Sequence, residues 1–213
     1  MRAVITGQVG LDKKEFLQRV LARVQPAGVE ATLCNVGDRM YAEAPDVARG
    51  RILDLPLSRL RSLRRSVFKD ILDTARRQSH VLVNTHATFR WRHGLFYAFD
   101  PDQMAALEAD LYVVLVDDVD RVHHRLTRDG HTDHTLKDLL VWREEEILAT
   151  ELLSQIVRGH GCFYICARGQ DESTAETLAR LLFRPHLKKA YLSFPMSHVA
   201  EAPELLERIE TFR

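Results

Sequence analysis

Lys13 is the residue in this 213-residue chain whose setting most plainly suggests chemistry. It follows a short apolar run, Ala3-Val4-Ile5, and a turn that carries Gly7 and Gly10, and it opens an amphipathic stretch. That order builds a cradle for phosphate. Glycines let backbone N–H groups turn inward without a Cβ clash. A new helix points its positive end at an anion, and a lysine reaches the β- and γ-phosphates. The phosphate-loop pattern is G-x-x-x-x-G-K followed by Ser or Thr. Here it reads Gly7-x-x-x-x-Asp12-Lys13-Lys14. Asp12 takes the place of the second glycine and puts negative charge beside the phosphate seat. Lys14 takes the place of the hydroxyl that ligates magnesium. A strand–turn–helix that holds no ligand is the competing reading of these residues.

Arginines are the next candidates. Arg59, Arg61, Arg64, Arg65, Arg76 and Arg77 fall within one helical stretch ending at Arg77. Such a run usually forms a solvated face. One or two of them also suit a grip on phosphate, because the guanidinium offers its oxygens a fork. The apolar run Val81-Leu82-Val83 ends in Asn84, where a phosphoryl-transfer enzyme often places an aspartate that holds magnesium. Residues 87–99 are aromatic and basic, with Phe89, Arg90, Trp91, Arg92, His93, Phe96 and Tyr97. They suit a cover over a base and its phosphate, or a packed loop. His131, Asp133 and His134 lie in a polar loop, 127–135, whose spacing fits no closed zinc site. A mobile lid is the expectation there, and no metal ligand is assigned.

The hydrophobic periods supply a scaffold for these residues. Phe16, Leu17, Val20, Leu21 and Val24 follow helical spacing. Residues 29–36 alternate as a second strand, and Gly37 then turns the chain into a helix capped by Asp38. Ser58 is the expected cap of the arginine-rich helix. The third strand is 79–86, a nearly continuous apolar run of the kind buried on both faces of a parallel sheet. A short helix at 101–107 precedes a fourth strand at 109–117 and a helix at 118–128. A long helix covers 136–157, a fifth strand 162–167, and Ser173 opens a helix to Phe183. Strands alternating with helices define the α/β class.

Composition narrows the field. Charged residues make up 28% of the chain, the formal net charge is zero and the pI is near 7.2. No global basic field points to nucleic acid. Three cysteines, Cys34, Cys162 and Cys166, suggest reduced thiols in a cytosol. No leader pattern and no run of membrane-spanning length is evident. The expectation is a cytoplasmic protein without a membrane partner.

In order and spacing, these segments resemble the archaeal-type adenylate kinases of the P-loop nucleoside-monophosphate kinase family. The matching residues are Ile5-Thr6-Gly7 with Lys13, Asn35-Val36-Gly37-Asp38-Arg39-Met40, Leu60-Arg61-Ser62-Leu63 and Val83-Asn84-Thr85-His86-Ala87-Thr88. The last stands where that family shows an aspartate-threonine-histidine-serine-threonine run. The apolar fourth strand and the lid around Arg128 follow in the same order. The resemblance covers residues 1–183 and implies a P-loop three-layer sandwich: a five-stranded parallel sheet with helices on both faces. It implies ATP or another nucleotide over Gly7, Gly10, Lys13 and Lys14. The monophosphate acceptor would lie among Asn35, Gly37, Asp38, Arg61, Thr85, His86 and Arg90. Lys13, Arg128 and Arg143 would be the catalytic cations. Arg61, Arg90 and Arg128 would then face one hollow. Asp12, Lys14 and Asn84 depart from the family, and all three bear on ATP phosphate and magnesium.

The last segment, 184–213, reads as an extra strand and helix or as the start of a second domain. Lys188 to His198 resembles the opening strand and loop of nucleoside 2-deoxyribosyltransferase-like domains, with Phe194 where those show glycine. Two functions remain open. One is a nucleotide-binding kinase-like module, catalytically impaired, that senses a nucleotide or assembles with a protein partner or another copy. The other is an active nucleoside-monophosphate kinase that passes the ATP γ-phosphate to AMP or a related nucleotide.

Overall fold

Side by side in the middle of the molecule lie three short runs that are almost wholly apolar: β1 (Arg2–Thr6), β3 (Val81–Asn84) and β6 (Leu111–Val116). Ala3, Val4, Ile5, Val81, Leu82 and Val83 are all fully buried. A strand covered on both faces has no use for polar alternation. β2 (Thr32–Asn35) flanks β3, and β7 (Phe163–Ala167) flanks β6. The sheet order is β2-β3-β1-β6-β7, every pair parallel. The computed structural model describes residues 1–169, 172–184, 186–187, 204 and 207.

Helices α1 (Lys13–Val24) and α7 (Glu172–Phe183) pack together. A second group links α2 (Val36–Glu43), α3 (Leu57–Arg77), α4 (Pro101–Leu107), α6 (Leu136–Arg158) and α5 (Val119–Arg128). The core runs between these layers and holds Phe16, Phe68, Ile71, Tyr112 and Trp142, none more than 1% exposed. This is the expected five-stranded sandwich. Among the described residues no helix is long and apolar enough to cross a membrane.

Several local expectations are corrected. β2 is only four residues long, paired residue for residue with the four of β3. α2 starts at Val36, so Asn35 takes the cap position and Asp38 falls inside the first turn. Pro56 precedes α3 and its carbonyl takes the first helical bond from Leu60 N–H at 3.0 Å, so Ser58 is not the cap. Residues 87–99 are not a loop. They form an antiparallel hairpin, β4 (Thr88–Trp91) and β5 (Gly94–Tyr97), around a turn at Arg92-His93. α7 begins at Glu172, one residue before Ser173. The expected strand from Lys188 to His198 lies outside the described residues, as does nearly all of the helix expected after Glu204.

Candidate functional site

Residues 7–12 join β1 to α1. Gly7 has φ 135°, and a Cβ there would meet Leu115 O at 2.7 Å and Leu11 Cδ1 at 2.6 Å. Only glycine fits against that carbonyl. The Gly7 N–H donates to Glu146 Oε1 on α6 at 2.8 Å. At the far end of the loop Asp12 adopts φ 46°, ψ 45°, the left-handed conformation, immediately before α1. Aspartate tolerates that region better than most side chains but without glycine's freedom.

Lys13 is only 7% exposed. Its Nζ donates to Gly7 O at 2.5 Å and Gln8 O at 3.4 Å, and lies 3.2 and 3.3 Å from the two ring nitrogens of His86. The ammonium is thus folded back into its own loop. Burial pulls its pKa down to about 7, and the Glu146 carboxylate opposes that fall only in part. His86 is driven well below the usual histidine range, first by burial and then by the Lys13 and Arg64 charges. Its ring is neutral and supplies an acceptor to the lysine.

A cavity of about 210 Å³ lies over this loop. Gly10, Asp12, Lys13 and Lys14 line it from the loop side. Asn35, Gly37 and Asp38 line it from β2 and α2, and Asn84 and His86 from the end of β3. Strand ends bring these groups together, since β1, β2 and β3 run parallel and finish at the same edge. Lys14 Nζ reaches Asp38 Oδ2 at 2.7 Å. Asn84 Nδ2 donates to Asn35 Oδ1 at 2.8 Å, while Asn84 Oδ1 is buried without a hydrogen-bond partner among the described residues. Asp12 is held by Arg128 at 3.3 Å and by Arg125 at 3.7 Å, both from α5.

Six expected site residues do not line this cavity, Gly7, packed against Leu115 O, among them. Thr85 is buried beneath it, and its N–H donates to Ile5 O. Arg61, Arg90 and Arg128 do not face one hollow. Arg61 stands exposed on α3 beside the hairpin. Arg90 on β4 is engaged by both oxygens of Glu145. Arg128 is shared between Asp129 and Asp12. Each guanidinium belongs to a different element and is drawn to the carboxylate or solvent nearest that element. Arg143 pairs with its neighbour Glu144 at 3.1 Å and touches none of the loop residues. The expected lid, 127–135, is helical at its start, where Thr127 and Arg128 close α5, and the rest of it rests on the hairpin: the His131 and His134 rings lie 5.0 and 5.1 Å from that of Trp91. Beside them is a cavity of about 310 Å³ with Arg51, Asp54 and Arg90 in its wall.

A family model described as an AAA domain matches residues 6–140, well over half of the chain. The chain belongs to the AAA domain family. The chain is also similar to adenylate kinases of Pyrococcus abyssi and Pyrococcus furiosus. They are 24% and 23% identical over 184 residues, spanning 84% of this chain and 92% of each relative. The fold is also that of shikimate kinases. The Bacteroides thetaiotaomicron structure gives a TM-score of 0.55 at 14% identity, over 85% of this chain and 98% of that one. The Acinetobacter baumannii structure, in complex with shikimate, gives 0.56 at 14% identity, over 88% and 95%. This AAA-family chain is an adenylate kinase-like P-loop NTPase, with a kinase-like nucleotide-binding domain.

Glu146 and Arg125 are missing from the sequence-based candidates. Glu146 is 1% exposed and accepts four hydrogen bonds of 2.7–2.8 Å: from the N–H groups of Gly7, Ala87 and Thr88, and from the Thr88 hydroxyl. It ties the phosphate loop to the segment after β3. Its signal was available in the spacing Leu139, Trp142, Glu146, Thr150, Leu153, which is the buried stripe of α6. Arg125 joins Gly10 O at 3.2 Å to Asp117 at 2.7 Å and so fastens α5 to the loop.

Proposed function

We propose that this chain is a nucleotide-binding kinase-like module, impaired in phosphoryl transfer, that works by sensing a nucleotide or by assembling with a partner. Nucleotide phosphates would lie against Gly7, Gly10 and Lys13, with Asn35, Gly37, Asp38 and His86 across the same cavity. The observation that carries the reading is the Asp12 carboxylate held by Arg128 and Arg125. Arginines free to meet a transferred phosphoryl group stabilise its charge, and such groups are worth several powers of ten in rate. Here two of them already answer to the protein's own anion. Lys14 is likewise neutralised by Asp38.

The donor set does not suit a magnesium ion, which seeks oxygen ligands in near-octahedral order. An ammonium stands where a hydroxyl would ligate. Asn84 is neutral and spends its amide nitrogen on Asn35. The assembly half of the reading draws on α6, where Leu148, Leu152 and Ile156 follow one another at four-residue spacing and are 57%, 48% and 78% exposed. A second reading, an active nucleoside-monophosphate kinase, draws on Lys13 beside the turn that keeps Gly7 and Gly10 and on the similarity to adenylate kinases.

A coupled assay for ADP formed from ATP and AMP with magnesium decides between them. The expected result is turnover far below the ordinary enzyme range. Turnover above about one per second would overturn the impaired reading in favour of the kinase.

A further inference from the structure

At the end of the sheet opposite the phosphate loop lies an open basin of about 500 Å³. β1 starts there with Arg2 and finishes at Thr6, so about 13 Å of strand separates the basin from the loop. Four arginines line it: Arg2 from β1, Arg76 and Arg77 from the last turn of α3, and Arg158 from the end of α6. Glu108 and Asp110, from the connection between α4 and β6, are the carboxylates in its wall. The chain as a whole balances 30 basic against 30 acidic residues, so this end departs from parity. A basic residue in the last turn of a helix offsets the helix dipole, which accounts for Arg76, Arg77 and Arg158 one by one. It does not account for Arg2, nor for the delivery of all four to one basin by three elements.

The acids at hand answer this charge poorly. Arg77 has no carboxylate within 4 Å among the described residues. Arg158 Nη2 lies 3.8 Å from Asp110 Oδ1, too far for a hydrogen bond. The other oxygen of Asp110 is taken by the Arg2 backbone N–H at 2.8 Å. Arg2 Nη1 donates to Leu107 O at 3.2 Å and stands 3.5 Å from Glu108 Oε2. Arg76 alone has a close pair, with Asp73 at 2.8 Å, and both side chains are exposed. Ion pairs this exposed are worth little, so they yield readily to carboxylates brought from outside. A guanidinium offers such a carboxylate two parallel donors.

We propose that this basin is the docking face for an acidic segment of a partner protein, whose spaced aspartates or glutamates pair with Arg77, Arg158 and Arg2. The spacing decides the class of partner. Carboxylates set at intervals along a peptide can pass Glu108 and Asp110, whereas the unbroken charge of a nucleic-acid backbone meets both. Among the described residues no aromatic ring lines the basin, so unpaired bases find no stacking surface there. The proposal stands apart from the impaired-kinase reading: the basin shares no residue with the cavity over the phosphate loop, and the turnover assay leaves it untouched.

Fluorescence anisotropy on the full chain with three labelled probes tests it: a peptide alternating glutamate with serine, the same peptide with glutamine for glutamate, and oligothymidylate. The glutamate peptide should bind and lose affinity as salt rises. The other two should bind at least roughly tenfold more weakly. Arg77→Gln and Arg158→Gln combined should weaken the glutamate peptide by at least roughly tenfold. Both side chains are exposed, so the fold withstands their loss. Glu108→Gln removes a repelling charge and should tighten binding. Arg49→Gln, at an exposed arginine outside the basin, should change nothing. Failure of the glutamate peptide to bind overturns the proposal, as does weaker binding in Glu108→Gln. So does equal binding by the glutamine peptide, or by oligothymidylate, which would make the basin a nucleic-acid face. A loss in Arg49→Gln as large as in the double variant also overturns it, since attraction would then be general to the surface.

Discussion

At position 12 a carboxylate occupies a backbone conformation that favours glycine, and it is repaid by two arginines. The left-handed backbone costs an ordinary L-residue about 1–2 kcal/mol. Partly exposed ion pairs return about 0–1 kcal/mol each. Asp12→Gly should therefore shift stability by no more than about 2 kcal/mol in either direction. It should raise ATP affinity at least roughly tenfold by removing a like charge and freeing Arg128. Calorimetry reads the affinity and urea unfolding the stability; unchanged ATP affinity would show that Asp12 does not guard the loop. Lys13 gives a pH signature. Its folded pKa is about 7 against 10.5 in the ordinary state. Between those values the unfolded chain keeps a proton that the folded chain has shed, so stability rises with pH across the window. A bound phosphate restores the proton, so nucleotide affinity should fall as pH climbs above 7, approaching about tenfold per unit. Titrations in buffers of different ionisation heat count that proton, and a flat profile would rule out Lys13 as the phosphate ligand.

Among the elements, α6 does most to hold the site in shape, through one side chain. Glu146→Ala strands three backbone N–H groups and a hydroxyl, each costing about 1–3 kcal/mol when buried unpaired. The expected loss is on the order of 3–5 kcal/mol in urea unfolding. Glu146→Gln keeps one carbonyl acceptor and should lose markedly less. Equal losses in the two variants would mean that packing, not hydrogen bonding, is what Glu146 supplies. This residue was legible in principle. Glu144, Glu145 and Glu146 read as a solvated run when taken as consecutive charges, yet successive residues on a helix point about 100° apart. Only Glu146 shares the stripe of Leu139, Trp142 and Leu153. Arg64 hides in the same way within the arginine run, on the face of Leu60, Val67, Phe68 and Ile71. The hairpin β4–β5 was harder to see, because its strands are four residues long and mix Arg90 and Trp91 with exposed Leu95 and Tyr97. Cross-strand pairing, not burial, makes that segment regular.

For the molecule as a whole, the sheet was the legible part. Val81–Val83 and Tyr112–Leu115 are continuous apolar runs because both faces of each strand are covered. Convergence of side chains at the strand ends was legible only where a strand end carries the residue, as with Asn35, Asn84 and His86. Arg61, Arg90 and Arg143 depend on how helices and the hairpin sit over the sheet, and the last two on which carboxylate each meets first. The five strands of the main sheet, the β4–β5 hairpin and α7 lie within residues 1–183, which we take as one domain. A chain ended after Leu187 should unfold in a single cooperative transition with a midpoint within a few degrees of the full chain, followed by circular dichroism. A broad or absent transition would make residues 188–213 part of that domain. The resting place of the 129–135 loop has a consequence of another kind. The chain has two tryptophans, and the His134 ring lies 5.1 Å from one and 5.7 Å from the other. An imidazole that close alters indole emission. The molecule thus carries a built-in optical gauge of that loop, with no third indole to dilute the signal and no dye to attach.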